Sequence, residues 1–394
     1  MATTTPNFGW SVPTSSDLVK NGATAIETLG DSIDASLVDL KGGTTGQVLA
    51  KASNTDMDFV WAADAGAPTS LGFAAGKNKI INGDFGIWQR GTSFSPVADA
   101  GTFTADRFIF QRNGSGYTAT CSRQTFTAGT APVSGYEGVY FWRYNVTTAG
   151  TSNTYAVLDQ RIENVQTLAG QTATISFWAK ADAARTVTLD VTQEFGSGGS
   201  GQVGTSGGSH SVTTSWTRFT ATVSVPSISG KTIGTGSYLI IRFGFPTGVT
   251  ETIDIWGVQI EAGSTATAFQ TATGTIQGEL AACQRYYSKS YPQSVFADGV
   301  SVTEGTAQSF AATTSALFNA TPFPVTMRTA PTVNIYAGAG GSGSGSVRNN
   351  SAGPVITGIS VVTISQTSFT NLNKTGAFTL GNGYGFEYTA SAEL

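Results

Sequence analysis

The sequence predicts a mainly β chain, with two β-sandwiches behind a short helical arm and a brief helix between them. Three observations lead there. Short runs with period-two alternation recur over residues 77–271 and again over 292–394, with turn residues between them. The composition is rich in glycine, with 49 residues, and poor in charge, at 12%, about half the usual charged share. Between residues 17 and 40 the apolar period changes from two to seven.

Residues 1–16 show no period, and Phe8 and Trp10 stand among Pro, Thr and Ser. With no core of its own, this segment is expected to be disordered or to dock into a partner, with Phe8 and Trp10 as its attachment residues. In 17–76, Val19, Ile26, Ile33 and Leu40 fall seven apart, and Ala23, Gly30 and Leu37 form a second column. Ser15, Ser16 or Asp17 is the candidate cap, and Gly42-Gly43 ends the run. Gly22 and Gly30 each weaken a helix by about 1 kcal/mol relative to Ala, so a lone helix here is marginal in water. One reading is an amphipathic helix on a globular domain. The favoured one is self-association around a seam of Val19, Ala23, Ile26, Ile33, Leu37 and Leu40. Residues 40–61 read as a small two-stranded element, and 62–76 as an Ala/Gly linker.

The central segment, 77–271, opens on KNKIINGDFGIWQRGTSF, where an apolar run stops at the turn Asn82-Gly83-Asp84. It closes on TIDIWGVQIEAG (252–263), a strand with Gly257 as a bulge. Between them, Tyr140, Trp142, Tyr144 and Val146 share one face, with Arg143 and Asn145 on the other. Val187, Leu189 and Val191 face the core, and Asp190, Thr192 and Glu194 face away. Residues 196–208, nearly all Gly and Ser, read as a flexible loop. In 272–291, Ile276, Leu280, Cys283 and Tyr287 lie on one helical face, which predicts a connecting helix with Tyr286 and Tyr291 packed at the joint. Residues 292–394 return to the β pattern as a second sandwich, with a Gly/Ser loop at 338–346.

The chemistry is as informative in what it excludes. A net charge of −4 gives no reason to expect nucleic acid or an anionic membrane as partner. No run is apolar enough to span a bilayer, and residues 1–20 carry no apolar signal core. Cys121 and Cys283 are expected as two reduced, partly buried thiols, and His210 as a solvated loop residue. Neither a zinc site, a triad, a phosphate loop nor a dinucleotide fingerprint is present, so no cofactor is expected. A glycosidase needs paired carboxylates. Asp190 and Glu194 share a face roughly 13 Å apart, too far for that chemistry, which leaves Asp159 or Glu163 as the alternative partner. The best polar face is Arg143, Asn145, Asp190, Thr192 and Glu194, suited to hydroxyl-rich ligands; the plainer reading is a solvated sheet surface.

Six segments carry a resemblance: IINGDFGIWQRGTSF (80–94), TADRFIF (104–110), LDQRIENVQTLAGQTATISFWAKA (158–181), IWGVQIEAGSTATAF (255–269), QRYYSKSY (284–291) and DLKGGTTGQVLAKASNTDMDFVW (39–61). Together they resemble bacteriophage tail fibres and minor tail proteins that carry a carbohydrate-binding-module-like jelly roll. The resemblance implies a central jelly-roll β-sandwich over 77–271, a coiled-coil arm, and a homotrimer. It implies an N-terminus held by a tail or baseplate protein, a host surface glycan or protein as receptor, no enzymatic activity, and a place in the virion tail. A polysaccharide depolymerase tailspike and a capsid fibre or decoration protein are the alternatives. Such modules often hold calcium beside their first and last strands. Asp84 and Asp254 stand there, but two carboxylates are thin for six to eight oxygen ligands, and no metal is carried over. Order along a fibre places receptor recognition in 292–394, with Tyr336, Arg348, Asn349, Asn350 and Tyr384 as its candidate residues.

Overall fold

The computed structural model describes residues 3–16, 18–45, 47–63, 75–95, 101–133, 136–295, 306–337, 344–351 and 353–394. The chain is mainly β and falls into two units, Met1–Gly72 and Phe73–Leu394. Among the described residues no helix is long and apolar enough to cross a membrane.

In the first unit, β1 (Thr3–Thr4) and β2 (Ser11–Val12) form a hairpin beside helix α1 (Gly22–Leu37). Residues 3–16 are therefore ordered: Phe8 stacks on Trp10 at 4.8 Å, and Trp10 Nε1 donates to Ser36 Oγ at 3.0 Å. The helix is extended by 3-10 turns at Val19–Asn21 and Val38–Leu40. Neither Ser15 nor Ser16 caps it, because the first turn starts after Leu18 with no side-chain cap; Asp17 lies outside the described residues. A second hairpin, β3 (Gln47–Lys51) with β4 (Phe59–Ala63), follows. Among its described residues the first unit holds this single helix, and a coiled-coil arm is not shown. No described residue of α1 is buried: Val19 is 96% and Ile26 65% exposed, and Ala23, Leu37 and Leu40 are exposed with Ile33 half-buried. Most of the 62–76 linker lies outside the described residues.

In the second unit, twelve strands form a two-sheet sandwich: β5 (Ser93–Phe94), β6 (Thr102–Phe103), β7 (Phe108–Arg112), β8 (Ser115–Thr125), β9 (Tyr140–Thr151), β10 (Ala156–Glu163), β11 (Thr172–Ala181), β12 (Arg185–Glu194), β13 (Val203–Val212), β14 (Thr217–Ser224), β15 (Tyr238–Gly244) and β16 (Glu251–Ala262). One sheet runs β13-β12-β15-β10-β7-β6 and the other β14-β11-β16-β9-β8-β5. Alternation sends Leu158, Leu189, Ile241 and Phe110 of the first against Trp142, Tyr144, Ile175 and Ile255 of the second. Aromatic pairs bridge the layers, Phe110 to Tyr144 at 4.7 Å and Phe177 to Phe243 at 4.9 Å. Residues 203–208, expected in a loop, open β13 instead. The edge position tolerates glycine, and a bulge opposite Leu189 and Asp190 accommodates it.

The 80–94 stretch ties this sandwich together. Asn82 takes a left-handed φ of 61°, Oδ1 accepts from Ile87 N at 2.8 Å, and Nδ2 donates to the Ile87 and Asp106 carbonyls. Gly83 lies so close to the closing strand that a Cβ would stand 2.2 Å from the Val258 carbonyl oxygen. Gly257, at φ 64°, forms the expected bulge beneath Trp178.

Helix α2 (Ile276–Gln284) is capped by Thr275, whose hydroxyl accepts from Gly278 N at 3.0 Å. Its buried face is Glu279 and Cys283; Ile276 is exposed, and Tyr287 already lies in β17 (Tyr287–Lys289). The second β domain thus begins five residues before 292, and its nine strands join into one sheet folded around its own core instead of two separate sheets. Its strands are β17, β18 (Ala307–Thr313), β19 (Ala316–Pro322), β20 (Thr332–Tyr336), β21 (Val347–Asn349), β22 (Val355–Ile356), β23 (Ser360–Ile364), β24 (Ser368–Asn373) and β25 (Gly383–Ser391). β25 is its hub: residues 383–386 pair with β18 and β21, and 387–391 with β17 and β20. Cys121 and Cys283 are free and buried.

Candidate functional site

With Val187, Leu189, Val191, Leu239, Ile241, Phe243 and Leu158 committed to the core, the alternate residues of β12, β15 and β10 form the outer face of their sheet. Register sets them in rows. Asp190 stands opposite Arg242, and Arg242 opposite Asp159. Arg242 grips Asp159 with both arms, Nε to Oδ1 at 2.8 Å and Nη2 to Oδ2 at 2.6 Å. Asp159 is fully buried beneath this guanidinium, and its hydrogen bond raises the Arg242 pKa. One row on, Thr192, Ile240 and Arg161 align, and two rows on Glu194, Tyr238 and Glu163, with the Arg161 guanidinium 5.2 Å from the Tyr238 ring. In the opposite direction Thr188, Gly244 and Val157 align. A Cβ on Gly244 would meet Thr188 Oγ1 at 2.4 Å, and the bare backbone floors an open cleft of about 560 Å³ rimmed by Tyr155, Thr186, Thr188 and Pro246. From Tyr238 to Gly244 the face extends roughly 20 Å along the strand.

Glu163 at the far end is engaged. Its carboxylate accepts from Arg285 at 2.9 and 2.8 Å and from the Tyr286 hydroxyl at 2.9 Å. Partial burial raises its pKa, but these bonds outweigh that and hold it below the ordinary value.

The five residues expected on one polar face divide between two. Asp190, Thr192 and Glu194 belong to the face just described. Arg143 and Asn145 lie on β9, on the outer side of the other sheet. There Arg143 is held by Asp254 at 2.7 and 2.8 Å, and Asn145 Oδ1 accepts from Thr252 Oγ1 at 3.0 Å. Alternation told inside from outside correctly on both strands, but which sheet each strand joins depends on long-range pairing that alternation does not encode. For the same reason Arg242, Arg161, Tyr238 and Tyr155 went unnoticed: their phase was legible in YLIIRFG and YAVLDQR, their neighbours were not.

The second-sandwich candidates are mostly interior. Tyr336 is buried, its hydroxyl 3.5 Å from Thr389 Oγ1. Tyr384 is fully buried against Phe378, and its hydroxyl accepts from Thr379 N at 2.9 Å. It lies within β25, with its ring on the core side of the sheet. Asn349 is buried and turns the chain, accepting from Ser351 N at 3.0 Å. Arg348 is half-buried and Asn350 exposed. Residues 338–343 of the Gly/Ser loop lie outside the described residues. His210 is also no loop residue: it sits half-buried in β13, edge-on to Phe177 at 5.5 Å, and burial lowers its pKa.

No family model matches the chain, and no curated protein matches it. Solved structures similar to part of it include the enzymatically active domain of bacteriophage CBA120 tailspike protein 4, at 16% identity over 51% of this chain and 24% of that one, with a TM-score of 0.30. A CBM4 structure aligns at 19% identity over 46% of this chain and 98% of its own, TM-score 0.28. The CBM22-1 xylan-binding domain of Paenibacillus barcinonensis Xyn10C aligns at 14% identity over 50% of this chain and 100% of its own, TM-score 0.27.

Proposed function

We propose that this chain is the subunit of a homotrimeric bacteriophage tail fibre that binds a host surface glycan along the outer face of β12, β15 and β10. The observation that carries the reading is the Asp190–Arg242–Asp159 row set between Tyr155 and Tyr238. Asp159 fixes the Arg242 guanidinium from below, so its orientation is settled before a ligand arrives. A fixed guanidinium beside a carboxylate offers a donor and an acceptor a few ångströms apart, the spacing of neighbouring sugar hydroxyls. Tyrosine rings at either end offer apolar faces and hydroxyls to the pyranose rings. Binding, in place of cleavage, agrees with the carboxylates of this face: Asp159 is committed to Arg242 and Glu163 to Arg285.

The trimer rests on the first unit, which has no buried residue among those described. A unit of that size cannot hold itself together without apolar burial, and the exposed seam residues Val19, Ile26, Leu37 and Leu40, on the helix and its flanking turns, supply it against copies of itself. The N-terminal hairpin with Phe8 then meets the tail. The test is a glycan microarray with the full chain. Tyr155→Ala with Asp190→Ala, two positions outside the core, should weaken binding roughly tenfold by removing one stack and one hydrogen bond. Undiminished binding by that variant refutes the site.

A further inference from the structure

The second sandwich turns to solvent a sheet face lined by two aromatic rings. Phe310 on β18 and Phe318 on β19 are direct cross-strand partners, 67% and 65% exposed. Their neighbours Ala311 and Leu317 enter the core, so both rings stand on the outer side. The next strand, β25, sets Gly383 beside Phe310 and Gly385 beside Gln308. A Cβ on Gly383 would lie 3.6 Å from the Phe310 ring, and one on Gly385 3.1 Å from Asn350 Oδ1. Gly383 leaves a strip of bare backbone beside the Phe310 ring, while Gly385 is covered by Thr306 and by Asn350 of a polar rim. In that rim Asn350 Nδ2 donates to Gln308 Oε1. Among the described residues, Gln308 Nε2 and Asn350 Oδ1 make no further hydrogen bond.

The area available narrows the occupant. A phenylalanine buries about 150–250 Å², so two rings at this exposure offer roughly 260 Å², against about 800 Å² per partner in a stable protein interface. That is too little for a second subunit and close to one or two sugar rings. The polar atoms of Gln308 and Asn350 are uncharged amides, a donor and an acceptor, which match hydroxyls, and beyond them Arg348 stands opposite Gly385 on β21. We propose that this face is a saccharide site that stacks the apolar side of one or two neutral pyranose rings on Phe310 and Phe318, with ring hydroxyls on Gln308 Nε2 and Asn350 Oδ1. It is a separate site from the jelly-roll face and does not depend on it.

Saturation-transfer difference NMR on the full chain tests this, with cellobiose, maltose, lactose and N-acetyllactosamine at millimolar concentration. At least one sugar should receive saturation on the protons of a single ring face. In the Tyr155→Ala, Asp190→Ala background, which silences the jelly-roll face, the signal should persist; adding Phe310→Ala with Phe318→Ala should reduce it roughly tenfold, and adding Phe310→Tyr with Phe318→Tyr should keep it. Circular dichroism melts confirm that each variant is folded. The proposal fails if none of the four sugars is saturated, or if the alanine pair leaves the signal unchanged. It fails too if the alanine pair dissociates the protein in sedimentation, which would make the face a subunit contact. Loss of the signal in the Tyr155/Asp190 variant alone would sink this site while leaving the jelly-roll reading standing.

Discussion

Glu251 opens β16 on the core side of its sheet, and neither carboxylate oxygen finds a hydrogen-bond partner. Burial pushes its pKa up to about 8, with Arg185 pulling it down and Asp182 pushing it up. Burial likewise lifts Glu387 to about 7. Each carboxyl holds a proton in the fold that the unfolded chain has released, so stability falls as pH rises from the ordinary carboxyl range through 7 and 8. Glu251→Gln keeps the neutral shape. It should flatten that slope and add at least about 1 kcal/mol at pH 8, since a tenfold difference in proton affinity between fold and unfolded chain is worth about 1.4 kcal/mol, with little change at pH 4. Urea denaturation at the two pH values measures it, and an unaltered slope would mean the carboxylate is accommodated as an ion. Gly83 sets a steric limit of another kind. With the Val258 carbonyl 2.2 Å from a would-be Cβ, Gly83→Ala must push the closing strand away and should cost about 1–3 kcal/mol, read as a lowered melting temperature.

Among elements, α1 and β13 show what a local pattern can and cannot convey. The helix was legible because its period is a property of consecutive residues, and a helix does span Gly22–Leu37. Its partner was not legible, since exposure of Val19 and Ile26 defines a surface without naming what meets it. If copies of the chain do, Ile26→Asp with Ile33→Asp places charge in the seam and should lower the oligomer mass in sedimentation; an unchanged mass would remove the seam from consideration. The β13 strand was missed because glycine and serine lack the side chains that make alternation visible, while its backbone pairing with β12 needs none. The same blindness hid the start of β25 at Gly383 and Gly385, whose backbone pairs with β18 and β21. Core membership was read well wherever large apolar residues alternated, as at Trp142 and Leu189. The candidate site was read only strand by strand, because the rows that make it, such as Asp190–Arg242–Asp159, exist only once register is set.

On the scale of the whole second unit, the question is whether its two sandwiches move independently. Two sets of contacts join them, and magnitude decides between the two. Glu163 with Arg285 is an ion pair in which both side chains are more than a third exposed, and such a pair contributes about 1 kcal/mol or less. The other set surrounds Glu393, just past β25. Its carboxylate accepts from Arg90 Nη2 at 2.8 Å and from Arg107 Nη1. Arg90 lies 3.7 Å from the Tyr287 ring and Arg107 3.4 Å from the Tyr286 ring, so both cations are clamped between the sandwiches. Arg328 holds the Ala392 and Glu393 carbonyls at 2.8 Å, and Arg161 the carbonyl of Leu394. Arg107 and Glu393 are nearly inaccessible, and removing one partner of a buried pair costs about 3–5 kcal/mol because the other is left charged and alone. The joint therefore depends on Glu393. Scanning calorimetry of the full chain should show the two sandwiches melting in one transition. Glu393→Ala should split it, with the second sandwich unfolding first and small-angle scattering showing a broader range of extensions below that melt. Glu163→Gln should leave one transition, displaced by no more than a few degrees. If Glu393→Ala also melts in one undisplaced step, the joint is held by apolar packing around Tyr286 and Tyr291, and the arginine cluster contributes nothing to it.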